Sequence, residues 1–285
     1  TIQINIFSKE ARKFLINTLL ALAKICDGVR CDMSMLLLNN VFKNTWGGVL
    51  GKNGFDKHGS EFWAEAITEV KNERADFLFI AEAYWNLEYD LQQIGFDFTY
   101  DKKLTDRLKF APVKEIHDHL LADNDYQKKS LRFIENHDEE RAAAILGKEK
   151  SKAAAVIIST IQGMRFYYDG QFEGKKIKLP VQLGREPEEQ QNNVLREFYN
   201  KLLTITSHEI FNRGKWILLE PEPSLDNNST FMNILSWMWS FKDEKRLIVV
   251  NYSETLSTCR IKLDVRGYPE DFFIKDLLND QSYMR

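Results

Sequence analysis

Three carboxylates stand where predicted β-strands end. Asp32 closes the stretch CDGVRCD, Glu82 closes FLFIAE, and Asp138 closes LRFIENHD. A carboxylate beside an apolar strand is costly to bury unless it is paired, hydrogen-bonded or protonated. One such residue is weak evidence, because the strand could simply have reached solvent. Three in succession are stronger evidence for acid–base or nucleophilic chemistry, in which carboxyl groups take separate roles.

Charged and aromatic neighbours accompany these acids. Arg30 precedes Asp32 by two residues on the same strand face and supplies a positive charge that favours a carboxylate. His137 adjoins Asp138, and Tyr84 and Trp85 follow Glu82 closely. Interpretations without a catalytic role remain open for each residue. Arg30 and Asp32 could form a structural ion pair, His137 and Asp138 could be a capping pair before a helix, the aromatics could be core residues, and Glu82 could be an exposed loop residue.

The elements that must position these residues alternate between strand and helix. Predicted strands cover residues 27–32, 76–81, 94–101, 130–136 and 163–170. Predicted helices cover residues 8–25, a segment capped by Ser60, 104–122 with an interruption at Pro112, 151–162 and 186–207, and the glycine-rich residues 47–59 are predicted to be a loop. Such alternation predicts an α/β fold with a parallel sheet. The carboxyl ends of its strands meet at one edge, where the three acids can converge.

The pattern of predicted secondary structure changes after residue 212. The stretches KWILLE, NILSWMWSF, RLIVVNYS, STCRIKLDV and FFIKDLL read as short strands separated by turn residues. They predict a small antiparallel β domain. We therefore expect two domains, 1–212 and 213–285.

The amino-acid composition and net charge limit the classes of function that the protein can have. The 285 residues carry a net charge of −3 and 44% hydrophobic residues, as expected of a globular protein. The basic residues are scattered, so a nucleic-acid partner is not expected, and no apolar stretch has the roughly 20 residues of a membrane span. Cys26, Cys31 and Cys259 lack metal-type spacing and are interpreted as free thiols in a reducing compartment, which favours a cytoplasmic location.

Three segments resemble signature regions of a known family. DGVRCDMSM, FLFIAEAYW and FIENHDEER resemble, in the correct order, regions of the α-amylase family of glycoside hydrolases. GMRFYYDGQFEGKKIKLPVQLGR resembles the last barrel strand and the following loop of that family, and the similarity extends over essentially the whole chain. The resemblance implies a (β/α)8 TIM barrel, of which this chain would supply about strands four to eight. A small antiparallel β-sandwich domain would follow.

The resemblance also implies a role for each residue. Asp32 matches the nucleophile, Glu82 the general acid/base, and Asp138 the third acid, which binds sugar hydroxyls. Retaining glycosidases use two carboxyl groups in this way and form a covalent glycosyl-enzyme intermediate. His137 and Arg30 match ligands of the same subsite. Asn136 is expected to orient the site, and Tyr84 to contact the sugar.

The chain also departs from the family pattern. The family's first signature, at the end of barrel strand three, is absent, and so is the inserted domain after that strand, which often holds calcium. We therefore expect the chain to be a C-terminal part that needs a missing N-terminal barrel segment as its partner. Calcium would bind through that segment, and the chemistry itself requires no cofactor. The isolated chain is expected to be inactive.

Two functions follow from these observations. The first is a retaining α-glycosidase or α-glucan glycosyltransferase that acts on α-glucans or maltooligosaccharides. The alternative is a non-catalytic amylase-like scaffold that binds carbohydrate or a protein partner. The presence of all three acids favours the enzyme.

Overall fold

A computed structural model of the protein describes residues 3–56, 58–264 and 271–284. Five parallel strands form one sheet in chain order. They are β1 (Gly28–Cys31), β2 (Leu78–Ala81), β3 (Phe98–Tyr100), β4 (Ser130–Arg132) and β5 (Met164–Arg165). Arg30 lies opposite Ile80, which in turn lies opposite Phe98. The predicted α/β fold with a parallel sheet is confirmed, although each strand is shorter than predicted.

Helices separate these strands. Their bounds are α1 (Lys9–Leu22), α2 (Asn39–Lys52), α3 (Phe62–Glu73), α4 (Glu88–Ile94), α5 (Lys102–Phe110), α6 (Val113–Leu120), α7 (Asn124–Lys128), α8 (Ala142–Ile145), α9 (Gly147–Thr160), α10 (Asn193–Thr206) and α11 (Ile210–Arg213). Ser8 caps α1 as predicted, since its hydroxyl accepts a hydrogen bond from the Ala11 N–H. The interruption at Pro112 is also confirmed, because α5 ends at Phe110 and α6 begins at Val113.

The predicted glycine-rich loop is wrong over its first part, residues 47–52, which are helical. Helix α2 includes Gly47, Gly48 and Gly51. Glycine disfavours a helix by about 1 kcal/mol relative to alanine, but Phe42 is buried beside Phe7 with ring centroids 5.1 Å apart. This long-range packing outweighs the local preference. The helix ends where Gly54 adopts a φ of 76°, which lets Phe55 N–H bond the Leu50 carbonyl.

The starts of α3 and α10 also differ from the prediction. The N-cap of α3 is Glu61 and not Ser60, because the Ser60 hydroxyl bonds Glu65 instead of the helix backbone. Helix α10 begins at Asn193, well after residue 186, and is capped by the Asn192 side chain. Glu189 lies outside this helix because its carboxylate accepts from the N–H groups of Lys176 and Ile177.

The C-terminal strands are antiparallel, as predicted. One sheet has the order β6 (Lys215–Leu219), β8 (Ile234–Phe241) and β9 (Glu244–Asn251); β7 (Pro221–Glu222) pairs with β10 (Arg260–Ile261), and β11 (Phe273–Asp276) with β12 (Gln281–Met284). The last strand was not predicted. Val265, which was predicted to end the fourth of these strands, lies outside the described residues.

The chain forms two compact units. The first comprises residues up to Lys102 together with Asn124–Leu131, and the second comprises Lys103–Asp123 and the residues from Arg132 onward.

Aromatic rings form much of the first core, where Phe79 and Phe96 both have no exposed surface. In the second core, the indoles of Trp237 and Trp239 both donate to the Thr160 carbonyl at the end of α9. Residues on both sides of position 212 thus share one core, while the predicted domain boundary itself stays a prediction.

Two observations bear on the other sequence expectations. The three cysteines are free thiols. Within the described ranges, no helix has the length and hydropathy that crossing a bilayer requires.

Candidate active site

Two of the predicted acids follow neighbouring strands of the first unit. The pairing of β1 and β2 sets Cys31 opposite Ala81 and continues one residue further, where Glu82 N–H donates to the Cys31 carbonyl at 3.0 Å. Asp32 and Glu82 are the next residues of the two strands. Parallel pairing therefore places both acids at the same edge of the sheet.

Arg30 joins the two acids. Its Nη1 lies 2.6 Å from Asp32 Oδ1, and its Nη2 lies 2.7 Å from Glu82 Oε1. The two carboxyl groups are therefore held side by side by the two arms of one guanidinium. The predicted Arg30–Asp32 contact is present, and it is one half of a larger arrangement.

Tyr100 provides a third contact for this guanidinium. Arg30 Nε donates to the Tyr100 hydroxyl at 3.3 Å. Burial disfavours the charged form of Arg30, but its hydrogen bonds with Tyr100 and Asp32 favour that form more strongly, so the pKa of Arg30 is raised above its ordinary value. The cation between the two acids is permanent.

Glu82 is buried, with 2% of its surface exposed. The interpretation of Glu82 as a loop residue in solvent is therefore wrong. Its Oε2 accepts from the Met33 N–H at 2.7 Å, and its Oε1 accepts from the Tyr84 hydroxyl at 3.1 Å. These contacts fix the orientation of the carboxyl group, so the predicted residue Tyr84 belongs to the same cluster.

Asp32 has the opposite environment. Its side chain is 77% exposed, whereas that of Glu82 is 3% exposed. Two carboxyl groups with such different surroundings are suited to different tasks, one exposed to an incoming molecule and the other buried and held by hydrogen bonds.

Trp85 does not belong to the core, which corrects one of the open interpretations. It is 61% exposed and, like Asn86, has a φ of 64°. The Leu87 N–H donates to the Tyr84 carbonyl at 3.2 Å and closes the turn. A positive φ is uncommon for residues other than glycine, and it directs the chain away from the core immediately after Tyr84.

The third predicted acid lies in the second unit, in a loop that we call the Asp138 loop (Glu135–Arg141). Asn136 Oδ1 accepts from the N–H groups of Asp138 and Glu139 at 2.9 and 3.0 Å. His137 Nε2 lies 2.9 Å from Asp138 Oδ2. The structure thus brings together Asn136, His137 and Asp138, and Asn136 rather than His137 makes the capping contacts with the backbone.

A buried ion pair closes the base of the Asp138 loop. Arg141 Nη1 lies 2.8 Å from Glu135 Oε1, and the Ala142 N–H donates to Glu135 Oε2 at 2.6 Å. Arg141 also donates to the Asp169 carbonyl and lies 4.5 Å above the Tyr168 ring. Burial raises the pKa of Glu135 although Arg141 and the Ala142 N–H favour its charged form. The sequence did not predict this pair, because its only signal is a glutamate and an arginine on either side of Asp138.

Two lysines border the same loop. Lys109 Nζ lies 2.7 Å from Glu139 Oε2, and Lys178 Nζ donates to the Asp138 carbonyl at 2.7 Å. Lys178 follows the last strand of the sheet, in the segment that the sequence matched to a barrel loop. These contacts hold the loop from both sides, while the Asp138 side chain remains 51% exposed.

The described residues contain no group of three or more histidine, cysteine or acidic side chains that could hold a metal ion. The candidate groups in each unit are carboxylates with charged and hydrogen-bonding neighbours.

Comparisons with known proteins bear on the fold. No family model matches the chain. No curated protein matches it either. A maltogenic α-amylase from Thermotoga neapolitana, described as noncanonic, matches 99% of this chain and 62% of its own at a TM-score of 0.74 and 21% identity. An α-amylase from Lactobacillus plantarum matches 99% of this chain and 64% of its own at a TM-score of 0.70 and 18% identity.

A third structure contains a carbohydrate analogue. The α-amylase from Geobacillus thermoleovorans, complexed with acarbose, matches 88% of this chain and 54% of its own at a TM-score of 0.64 and 18% identity. This chain spans less than two thirds of the length of each of these three structures. Over the part of their length that it covers, the chain has the fold of the α-amylase family of glycoside hydrolases.

Proposed function

We propose that the protein is a retaining enzyme of the α-amylase family that cleaves or transfers α-glucosidic bonds of α-glucans and maltooligosaccharides. One observation carries this proposal: two carboxyl groups at neighbouring strand ends, one exposed and one buried, share the two arms of Arg30. Asp138, the third acid, matches the sequence pattern of the same family. The α-amylase fold supports the assignment.

The exposed carboxylate suits nucleophilic attack. Asp32 can approach a sugar from solvent, and the Arg30 guanidinium lies 2.6 Å from its carboxylate. Attack at the anomeric carbon forms an ester between Asp32 and the sugar, while the bond to the leaving oxygen breaks.

The buried carboxyl group suits proton transfer. Glu82 gives a proton to the leaving oxygen in the first step, and takes one from water or from an acceptor sugar in the second. The Met33 N–H and the Tyr84 hydroxyl keep the group in one orientation during both steps.

The Asp138 loop is proposed to bind sugar hydroxyls. Asp138 and His137 are partly exposed, and the Asn136 side chain and the Glu135–Arg141 pair fix the backbone beneath them. Charge-assisted hydrogen bonds from sugar hydroxyls to Asp138 can strengthen as the sugar distorts. None of these steps requires a cofactor.

The finer architecture is part of the same proposal. We assign β1–β5 to strands four to eight of a (β/α)8 barrel, and the C-terminal strands to a β-sandwich. The remaining barrel strands would belong to an N-terminal segment that acts as the structural partner of this chain, and calcium, if the enzyme uses it, would bind there.

The test is product analysis with maltooligosaccharides and the full-length protein. We expect shorter or rearranged maltooligosaccharides, released first as the α-anomer in proton NMR spectra because the configuration is retained. Asp138→Asn should reduce the rate at least about 100-fold. Glu140→Gln neutralises an exposed carboxylate of the same loop and is the matched control, with an expected change of less than about twofold.

Two results would contradict this function. A β-anomer as first product would refute retention. Binding of maltooligosaccharides without any turnover would instead support the non-catalytic scaffold.

A further inference from the structure

Tyr100 on β3 contacts Arg30 on β1, the outer two of three neighbouring strands of the sheet. It lies on β3 and is 3% exposed, and its hydroxyl accepts from Arg30 Nε on β1, with β2 between the two strands. The Arg30 guanidinium carbon also lies 5.6 Å from the centre of the Tyr100 ring. Tyr100 therefore contacts the cation both through its hydroxyl and through its ring face.

A planar guanidinium offers its donors in a fixed fork, so the orientation of one N–H sets the directions of the others. With Nε directed at Tyr100, Nη1 reaches Asp32 and Nη2 reaches Glu82. Each acid receives one arm. Rotation in the plane would instead allow two parallel bonds to a single carboxylate, which is the arrangement that arginine and carboxylates frequently adopt.

We propose that Tyr100 is a positioning residue that holds the Arg30 guanidinium between Asp32 and Glu82, so that one cation serves both carboxyl groups. This inference rests on the proposed function for the roles of the two acids. Tyr100 acts through Arg30 and needs no contact with the substrate.

Loss of the Tyr100 hydroxyl should shift the Arg30 guanidinium toward Glu82. Glu82 is buried and Asp32 is largely exposed, so a released guanidinium gains more by pairing with Glu82, where the effective dielectric constant is lower. Asp32 would then lose its cation. The variant keeps both acids but changes how the charge is shared between them.

The experiment compares Tyr100→Phe with Tyr199→Phe in the full-length protein. Both residues are buried, and the Tyr199 hydroxyl accepts from Gln171 instead of from Arg30. Tyr199→Phe is therefore the control for loss of one buried hydroxyl. Circular dichroism and thermal melts establish that both variants are folded.

The first measurement needs no catalytic activity. Exchange of the Arg30 Nε–H proton with water, followed by nitrogen-15 NMR, should be at least about tenfold faster in Tyr100→Phe than in the parent, since the bonded donor is freed. It should be unchanged in Tyr199→Phe. Equal exchange in all three proteins would overturn the inference, whether or not the protein is a glycosidase.

The second measurement is the pH dependence of turnover. We expect kcat/KM of Tyr100→Phe to fall roughly 10- to 100-fold, with the loss mainly in kcat, because a hydrogen bond to a charged group is removed. The limbs of the pH–rate profile should also move, because the charge beside both acids is redistributed. An unmoved profile with parental kcat would overturn the inference. An inactive parent would refute the proposed function alone, and the exchange measurement would still decide the role of Tyr100.

Discussion

Lys109 Nζ and Glu139 Oε2 lie 2.7 Å apart, and the Lys109 side chain is only 1% exposed. The pair connects α5 to the residue that follows Asp138. Water contributes little to the stability of an ammonium group in this position, so its carboxylate partner must compensate for the burial. The contact thus ties the Asp138 loop to helix α5.

Breaking this pair should destabilise the protein. Glu139→Gln leaves the Lys109 ammonium buried without a carboxylate at this position and should lower the free energy of unfolding by about 3–5 kcal/mol. Lys109→Met with Glu139→Met should lower it by much less, because no charge is left buried. Urea unfolding measures both values, and Lys114→Met, which removes an exposed pair with Asp118, is the control. Equal losses in the single and double variants would contradict the argument.

Replacing Glu82 by glutamine should separate turnover from binding. Glutamine keeps the size of the side chain but cannot transfer a proton, so kcat should fall by about 100- to 10,000-fold. Calorimetric titration should show maltooligosaccharide affinity close to that of the parent. Glu88→Gln changes another buried glutamate of the first unit and is the control. Turnover within about tenfold of the parent would refute the acid/base role of Glu82.

The covalent intermediate should form on Asp32. A slow fluorinated α-glucoside should add one sugar to the peptide that contains Arg30 to Met35, since a fluorine substituent slows hydrolysis of the ester. Mass spectrometry of a peptide digest locates the label, and Asp32→Asn should remain unlabelled. A label on Glu82 or Asp138 would assign the nucleophile elsewhere.

Two glycines should respond to alanine in opposite directions. A Cβ at Gly28 would lie 2.7 Å from both the Cβ and the carbonyl oxygen of Leu78, so Gly28→Ala should destabilise the protein by about 1–3 kcal/mol. A Cβ at Gly48, inside α2, meets nothing within 4 Å, so Gly48→Ala should stabilise it by about 0.5–1 kcal/mol. Thermal melts compare the two variants, and a stabilising Gly28→Ala would show that β1 and β2 are less closely paired than described.

Local sequence predicted the places of Asp32 and Glu82 well, because each directly follows the last residue of a strand, whereas Asp138 lies six residues after β4 ends at Arg132. Local sequence failed where contacts between residues that are distant in the chain determine the structure. Helix α2 depends on packing between Phe42 and Phe7, which local propensity does not reveal. The Glu135–Arg141 pair forms only when the chain returns on itself around Asp138. The contact between Arg30 and Tyr100 likewise requires the order of three strands, and no single stretch contains that information.

The hydrogen bonds from Trp237 and Trp239 to the Thr160 carbonyl determine when the second core can be completed during synthesis of the protein. Trp239 follows Thr160 by 79 residues, and both are needed to complete the second core. A ribosome that adds about 5–20 residues per second takes roughly 4–16 s to cover that distance. During this interval the apolar face of α9 has been made but its tryptophan partners have not. The nascent chain therefore exposes this apolar face, and is prone to aggregation, between the translation of α9 and that of β8.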